Sequence, residues 1–209
     1  MIPFSKEDEH VAKLAISLSL ACGFNSKMAG LIGDAAALHD CGKVKVPEYI
    51  INKPGRLSLD EMEIMKTHTI WGAYILSELR EELRMIAVNI VAFHHEKWDG
   101  SGYWGYRGGV IPYYCQIVSI CDMYVALTAN RPYKEPWPPS EAMEYIKSNA
   151  GKTFCPKLVR TFLGCYQLQF AQVFNLSQRD PLTEKSQSFI MESVEVKQLK
   201  IQDERMSIP

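Results

Sequence analysis

Residues 94–104 read His94-His95-Glu96-Lys97-Trp98-Asp99-Gly100-Ser101-Gly102-Tyr103-Trp104. Two adjacent imidazoles open an acidic, glycine-rich loop, and the ring nitrogens of histidine bind borderline metals well. Further donors lie elsewhere in the chain: His39-Asp40 upstream, His68 between, and Asp122 downstream. Imidazole and carboxylate donors together suit Fe, Mn, Zn or Co. A carboxylate such as Asp40 can bridge two ions, and two ions about 3.5–4 Å apart can activate water near neutral pH and stabilise an in-line displacement at phosphorus. That chemistry also needs cations for the phosphate oxygens. Lys43 follows Asp40 closely, and Arg131 and Lys134 follow Asp122. Each residue alone has a plainer reading, since a histidine pair can end a helix, an aspartate can cap one, and Lys and Arg are usually solvated. Their succession sets them apart.

The elements that must position these donors read as helices. Val11, Leu14, Ala15 and Leu18 recur at helical spacing between Ser5 and Ala21, and Gly23 stops that helix. Asn25-Ser26 caps a second helix, expected to end in Leu38-His39-Asp40-Cys41-Gly42 with Gly42 in a left-handed position. The His-Asp pair would then occupy a helix's last turn. Pro47 permits a short helical turn, and Lys53-Pro54-Gly55-Arg56 makes a turn. Ser58-Leu59-Asp60-Glu61 has a capping-box pattern and opens a long helix with His68 in its middle. Residues 81–93 form another helix, which delivers His94 and His95. Consecutive helical residues point about 100° apart, so the two rings reach one ion only as adjacent ligands or from a distorted last turn. The glycine- and aromatic-rich loop from Lys97 to Tyr113 has a length common among functional loops. Pro112 starts a helix that carries Asp122 among Ile120, Cys121 and Met123. A carboxylate there is costly to bury unless paired or metal-bound. Pro136, Pro138 and Pro139 bar helix, Ser140 caps the next one, and Pro156 starts the last.

The chain of 209 residues, 47% hydrophobic and 22% charged, has the composition of a soluble globular protein. A net charge of -1 provides no field to attract a nucleic acid duplex or an anionic membrane, so an anionic substrate must be bound by local groups. Six cysteines without a Cys-x-x-Cys pair, no signal-like opening and no apolar run long enough for a bilayer point to the cytoplasm with reduced thiols. Because the chain begins almost directly in a helix, it is also compatible with a module of a larger protein. The fold class is all-α, with an ordered domain over residues 1–174 and a polar tail, expected to be disordered, over 175–209. Within the tail, residues 193–201 alternate weakly.

In this order and spacing the motifs resemble the HD-GYP family of metal-dependent phosphohydrolases, a branch of the HD superfamily. Leu38-His39-Asp40-Cys41-Gly42-Lys43 is similar to the HD-x-G-K signature, and 94–103 is nearly the whole signature loop. Ile50-Ile51-Asn52-Lys53-Pro54-Gly55, Met65-Lys66-Thr67-His68, Gly109-Val110-Ile111-Pro112 and Leu127-Thr128-Ala129-Asn130-Arg131-Pro132-Tyr133 resemble its other blocks. The resemblance implies a compact helical bundle with a metal centre between helices, commonly of iron or manganese. It implies hydrolysis of cyclic di-GMP to linear pGpG. The metal ligands would be His39, Asp40, His68, His94, His95 and Asp122. Asp40 and Lys43 would serve catalysis, Lys43 by orienting phosphate, and Tyr103, Arg131 and Lys134 would contact the nucleotide. A sensor domain or a diguanylate cyclase-type partner would supply the input.

Three departures bear on this reading. Trp104 stands where the family carries its signature proline, and Val125 stands where many members carry a second aspartate. Upstream, where many members carry a histidine and a glutamate, an ungapped register places Glu7 and Pro3, with His10 one turn on. Two ions are therefore expected rather than three. Alternative functions are a non-catalytic module that binds metal or nucleotide and signals through a partner, and an HD hydrolase of another phosphate ester.

Overall fold

The computed structural model describes residues 5–79, 81–130 and 135–165. Among them are eight α-helices and two short 3-10 turns, at Cys41–Lys45 and Gly108–Val110, with no β-strand beyond one isolated bridge, Ala150 to Phe154. The helices are α1 (Lys6–Ala21), α2 (Ser26–Ala36), α3 (Glu48–Ile51), α4 (Leu59–Leu76), α5 (Glu81–Phe93), α6 (Tyr113–Thr128), α7 (Pro139–Ser148) and α8 (Pro156–Cys165). None is long and apolar enough to cross a membrane. The expected tail, its weakly alternating segment, and Arg131 and Lys134 lie outside the described residues.

Local chemistry sets the helix starts. Ser5 and Ser58 each cap a helix reciprocally with the third helical residue, Asp8 and Glu61, and the Asn25 side chain accepts from the Met28 N–H. Each such cap satisfies a donor the helix cannot, typically for about 1 kcal/mol. Helix α7 starts at Pro139, two residues earlier than a Ser140 cap would place it, because proline suits the first helical position, where its missing N–H costs nothing.

Helix α6 is the apolar spine, with Cys115, Ile117, Val118, Ile120, Cys121 and Tyr124 almost wholly buried. Helices α1, α5 and α7 pack on it, α2 bridges α1 and α5, and α8 closes over α1. None of the six cysteines forms a disulfide.

The expected end of the second helix is corrected. Helix α2 stops at Ala36, and His39-Asp40 occupy the turn between it and the 3-10 segment. Gly42 is not left-handed. Its role is close approach: a Cβ there would lie 1.8 Å from the carbonyl oxygen of His68 and 2.5 Å from the Gly72 nitrogen. The missing side chain lets the His-Asp segment press directly onto α4, beside His68.

Candidate metal centre

Two turns and two helices converge. The turn after α2 presents His39 and Asp40, the middle of α4 presents His68, the turn ending α5 presents His94 and His95, and α6 presents Asp122. Asp40 is the hub. Its Oδ1 faces His68 Nε2 at 3.4 Å and His94 Nε2 at 3.8 Å, while its Oδ2 faces His39 Nε2 at 3.4 Å and pairs with Lys43. Asp122 Oδ1 approaches His39 Nε2 at 3.6 Å. Donor atoms of Asp40, His68, His94 and His95 all lie within 4.8 Å of one another.

The backbone fixes which nitrogen points inward. Nδ1 of His39 lies 2.8 Å from the Ala36 carbonyl, Nδ1 of His68 2.7 Å from that of Met65, and Nδ1 of His94 3.0 Å from that of Val91. A carbonyl only accepts, so each Nδ1 carries hydrogen and donates, and each Nε2 is turned toward Asp40. Orientation of this kind by an outer hydrogen bond is what metal-binding histidines use. Nε2 of His68, Nε2 of His94 and Oδ1 of Asp40 are buried without a hydrogen-bond partner. Buried polar atoms are normally satisfied, and three converging unsatisfied ones fit a divalent cation that would complete them.

The electrostatics suit the same ligand. Burial lowers the pKa of His94 well below the usual imidazole range, helped by the neighbouring His95 and His39, and lowers His95 to about 3. Burial also lowers His68, against the pull of Asp40. All three are thus neutral, as a metal ligand must be. His39 differs: burial would lower it, but Asp40 and Asp122 outweigh burial and raise it well above its ordinary value. Asp40 is held well below the carboxylate range by His39 and Lys43 despite its burial, and His39 likewise lowers Asp122.

At the rim, Tyr103 lies tilted against His95, ring centroids 4.5 Å apart, and edge-on to His68 at 6.2 Å. Burial, with Asp40 and Asp122 nearby, raises its phenol to about 12, so it stays a neutral hydrogen-bond donor.

Two residues of the site escaped the sequence reading. Glu96 is buried, and its two carboxylate oxygens accept the backbone N–H groups of Trp104 at 2.7 Å and Tyr106 at 2.9 Å. A Cβ at Gly102 would stand 2.6 Å from the Glu96 Cα, so the loop folds directly onto its own start. No periodicity marks such a carboxylate; its place beside a glycine-rich loop was the available signal. The other is Asp8, one residue past Glu7, whose Oδ1 lies 3.9 Å from His39 Nδ1. The Ser5-x-x-Asp8 capping pattern would have pointed to it.

Trp104, at the signature proline's position, is 43% exposed, and its indole N–H donates to Thr69 Oγ1 on α4 at 3.2 Å. Val125 is 3% exposed and belongs to the apolar core.

Known proteins are similar to this chain in sequence and in fold. A 3'3'-cGAMP-specific phosphodiesterase 2 of Vibrio cholerae is 40% identical over 158 residues, 74% of this chain and 30% of the relative. A cyclic di-GMP phosphodiesterase of Thermotoga maritima is 39% identical over 159 residues, 76% of this chain and 43% of the relative. The cyclic di-GMP phosphodiesterase response regulator RpfG of Xanthomonas campestris is 37% identical over 161 residues, 77% of this chain and 42% of the relative. The chain thus spans less than half the length of these curated relatives. In fold it is similar to an HDG"Y"P protein from Bdellovibrio bacteriovorus, with a TM-score of 0.63 at 20% identity over 79% of this chain and 53% of the other. It is also similar to a cyclic GMP-AMP-specific phosphodiesterase of Vibrio cholerae, with a TM-score of 0.62 at 16% identity over 88% of this chain and 48% of the other. The family model of the HD domain matches residues 2–158. With its His-Asp turn held against α4 by Gly42, the chain belongs to the HD-domain family.

Proposed function

We propose that this chain is a metal-dependent phosphodiesterase that hydrolyses cyclic di-GMP, or a related cyclic dinucleotide such as 3'3'-cGAMP, to the linear dinucleotide. The carrying observation is the convergence of backbone-oriented Nε2 atoms and unpaired carboxylate oxygen on one buried point. His39, Asp40, His68, His94, His95 and Asp122 would hold two divalent ions, iron or manganese. Ions bound there supply a hydrolytic nucleophile near neutral pH and Lewis-acid stabilisation of an in-line displacement.

The chain's own residues do the rest. Lys43 is kept charged by Asp40, which outweighs burial, and so stands ready to neutralise a phosphate oxygen beside Asp40. Tyr103 presents a neutral donor and an aromatic face at the mouth. Arg131 and Lys134 contact the nucleotide, where a guanidinium can engage a guanine edge or phosphate through its fork. The relatives' names support the substrate class, and the enzyme would act in the cytoplasm under a sensor domain or a diguanylate cyclase-type partner. Anaerobic purification, metal counting per chain and chromatography of products from cyclic di-GMP test this reading. Two ions per chain and a pGpG product are expected; metal-loaded protein without any turnover overturns it. Val125 gives that outcome its rival reading, a module that binds and signals, because an apolar core side chain stands where many family members carry an acid.

A further inference from the structure

The rings of the site form a row from the interior to the rim. His39 and His94 lie 5.1 Å apart, His94 and His95 4.0 Å, and His95 and Tyr103 4.5 Å. Two cations flank the row. Lys43, its side chain 39% exposed, pairs with Asp40. At the outer end the ammonium of Lys66 lies 5.8 Å from the centre of the Tyr103 ring, within the range of a cation–π contact. The Lys66 side chain is only 21% exposed, unusually low for a lysine. Its ion-pair partner, Glu63 at 2.6 Å, is 69% exposed, and such surface pairs hold weakly and exchange readily. The ammonium is therefore fixed in position while its charge remains available to another anion.

A cyclic dinucleotide has two phosphates on opposite sides of one macrocycle, so only one can be at the metals when a bond breaks. We infer that Lys66, set against Tyr103, is the binding cation for the second phosphate of the substrate. This rests on the cyclic dinucleotide reading above. Lys66 does not touch the reacting phosphorus; it selects substrates with a second anionic group at that distance from the first.

The test compares metal-loaded wild type with Lys66→Met, which keeps the stem and removes the charge, with Lys66→Arg, and with Glu63→Gln. Each is assayed on cyclic di-GMP and on bis(p-nitrophenyl) phosphate, a diester with a single phosphate. Lys66→Met is expected to raise KM for cyclic di-GMP roughly tenfold, the loss of one charge-assisted contact, with little change in kcat. It should change KM for the one-phosphate diester less than about twofold, and Lys66→Arg should restore most of the affinity. Glu63→Gln removes the competing anion and should lower KM for cyclic di-GMP. If Glu63→Gln instead raises KM as Lys66→Met does, the ion pair is structural and the inference fails. It fails equally if Lys66→Met weakens both substrates alike or neither. A wild type that cleaves the simple diester but neither binds nor cleaves a cyclic dinucleotide overturns the functional reading itself, and this inference with it.

Discussion

The histidine cluster and the loop of residues 97–112 adjoin each other but are held by different means. Three ring histidines are each pinned by a carbonyl three or four residues earlier in their own segment, so local backbone geometry places them. The loop that carries Tyr103 and Trp104 is pinned from outside, by the Glu96 carboxylate and by Thr69 of α4. Bonds within their own segments fix the three histidines, whereas bonds to other segments fix the loop, the carbonyls of Thr153 and Lys152 also accepting from the Trp98 and Asp99 N–H groups. Substitutions should therefore separate metal loading from substrate binding.

The largest effect is expected inside the cluster. His94→Ala or Asp40→Ala removes a donor that water does not replace at equal affinity. Bound metal should fall and hydrolysis should drop to background, with metal per chain and turnover measured on the same samples. Wild-type metal content and rate in either variant would break the assignment of these ligands.

Val125→Asp comes next, and here the fold reverses an expectation. Helical spacing puts residue 125 on the same side as Asp122 and suggests that an aspartate there would assist catalysis. Asp122, however, is a quarter exposed, whereas Val125 lies in the core between α6 and its neighbours. An unpaired carboxylate placed there should cost about 3 kcal/mol or more, or be protonated. A lower urea midpoint is expected. A midpoint unchanged from wild type together with a faster rate would mean that the metals reach residue 125 after all.

Glu96→Ala tests the loop. It leaves two N–H groups without their acceptor, at about 1–3 kcal/mol for each that stays buried. Expected are a lower melting temperature and a higher KM with full metal content. Loss of metal in this variant would show that loop and cluster form a single unit.

The metal-free protein should also lose stability in mild acid. His94 and His95 have lowered pKa values, that of His95 falling from 6.5 to about 3. Below about pH 6.5 the unfolded chain takes up protons that the folded one refuses, so stability falls as pH drops from there toward about 3. Each such group contributes about 1.4 kcal/mol per pH unit in that window. His39, raised, acts in the opposite sense: its contribution is present below about 6.5 and is lost as pH rises through its folded value. The lowered histidines, His68 among them, outnumber it, so urea midpoints should decrease from pH 7 to pH 5.

How far the sequence foretold this molecule follows the same division. Helix α5 ends where expected, and the caps at Asn25 and Ser58 are where expected, because hydrophobic period and capping are local properties. The end of α2 differs because Gly42, which suits a left-handed stop by type, serves instead a close contact with His68 and Gly72 in α4. Asp8 and Glu96 differ from these: the capping pattern from Ser5 marks Asp8 and the adjoining glycine-rich loop marks Glu96, but their contacts with His39 and with the backbone of Trp104 and Tyr106 appear only in the fold.

The smallest effect is expected at Trp104. Thr69 is 1% exposed, its hydroxyl accepts the Trp104 indole N–H, and the same hydroxyl donates to the Lys66 carbonyl. Thr69→Val keeps the shape and removes both bonds, for about 1 kcal/mol. The indole is then tied to α4 only by packing, and the rim beside Tyr103 loosens while Glu96 still holds the loop backbone. KM for cyclic di-GMP should rise about twofold to fivefold, with kcat, metal content and melting temperature close to wild type. Trp104→Pro removes the indole itself and also the backbone N–H that Glu96 Oε1 accepts, so it should be the more damaging of the two, in both KM and melting temperature. If Trp104→Pro equals or exceeds wild type in affinity, the family's proline serves this loop as well as the tryptophan does, and the contact to Thr69 only compensates for a lost rigid turn. If Thr69→Val alone releases metal, the rim and the cluster share one support.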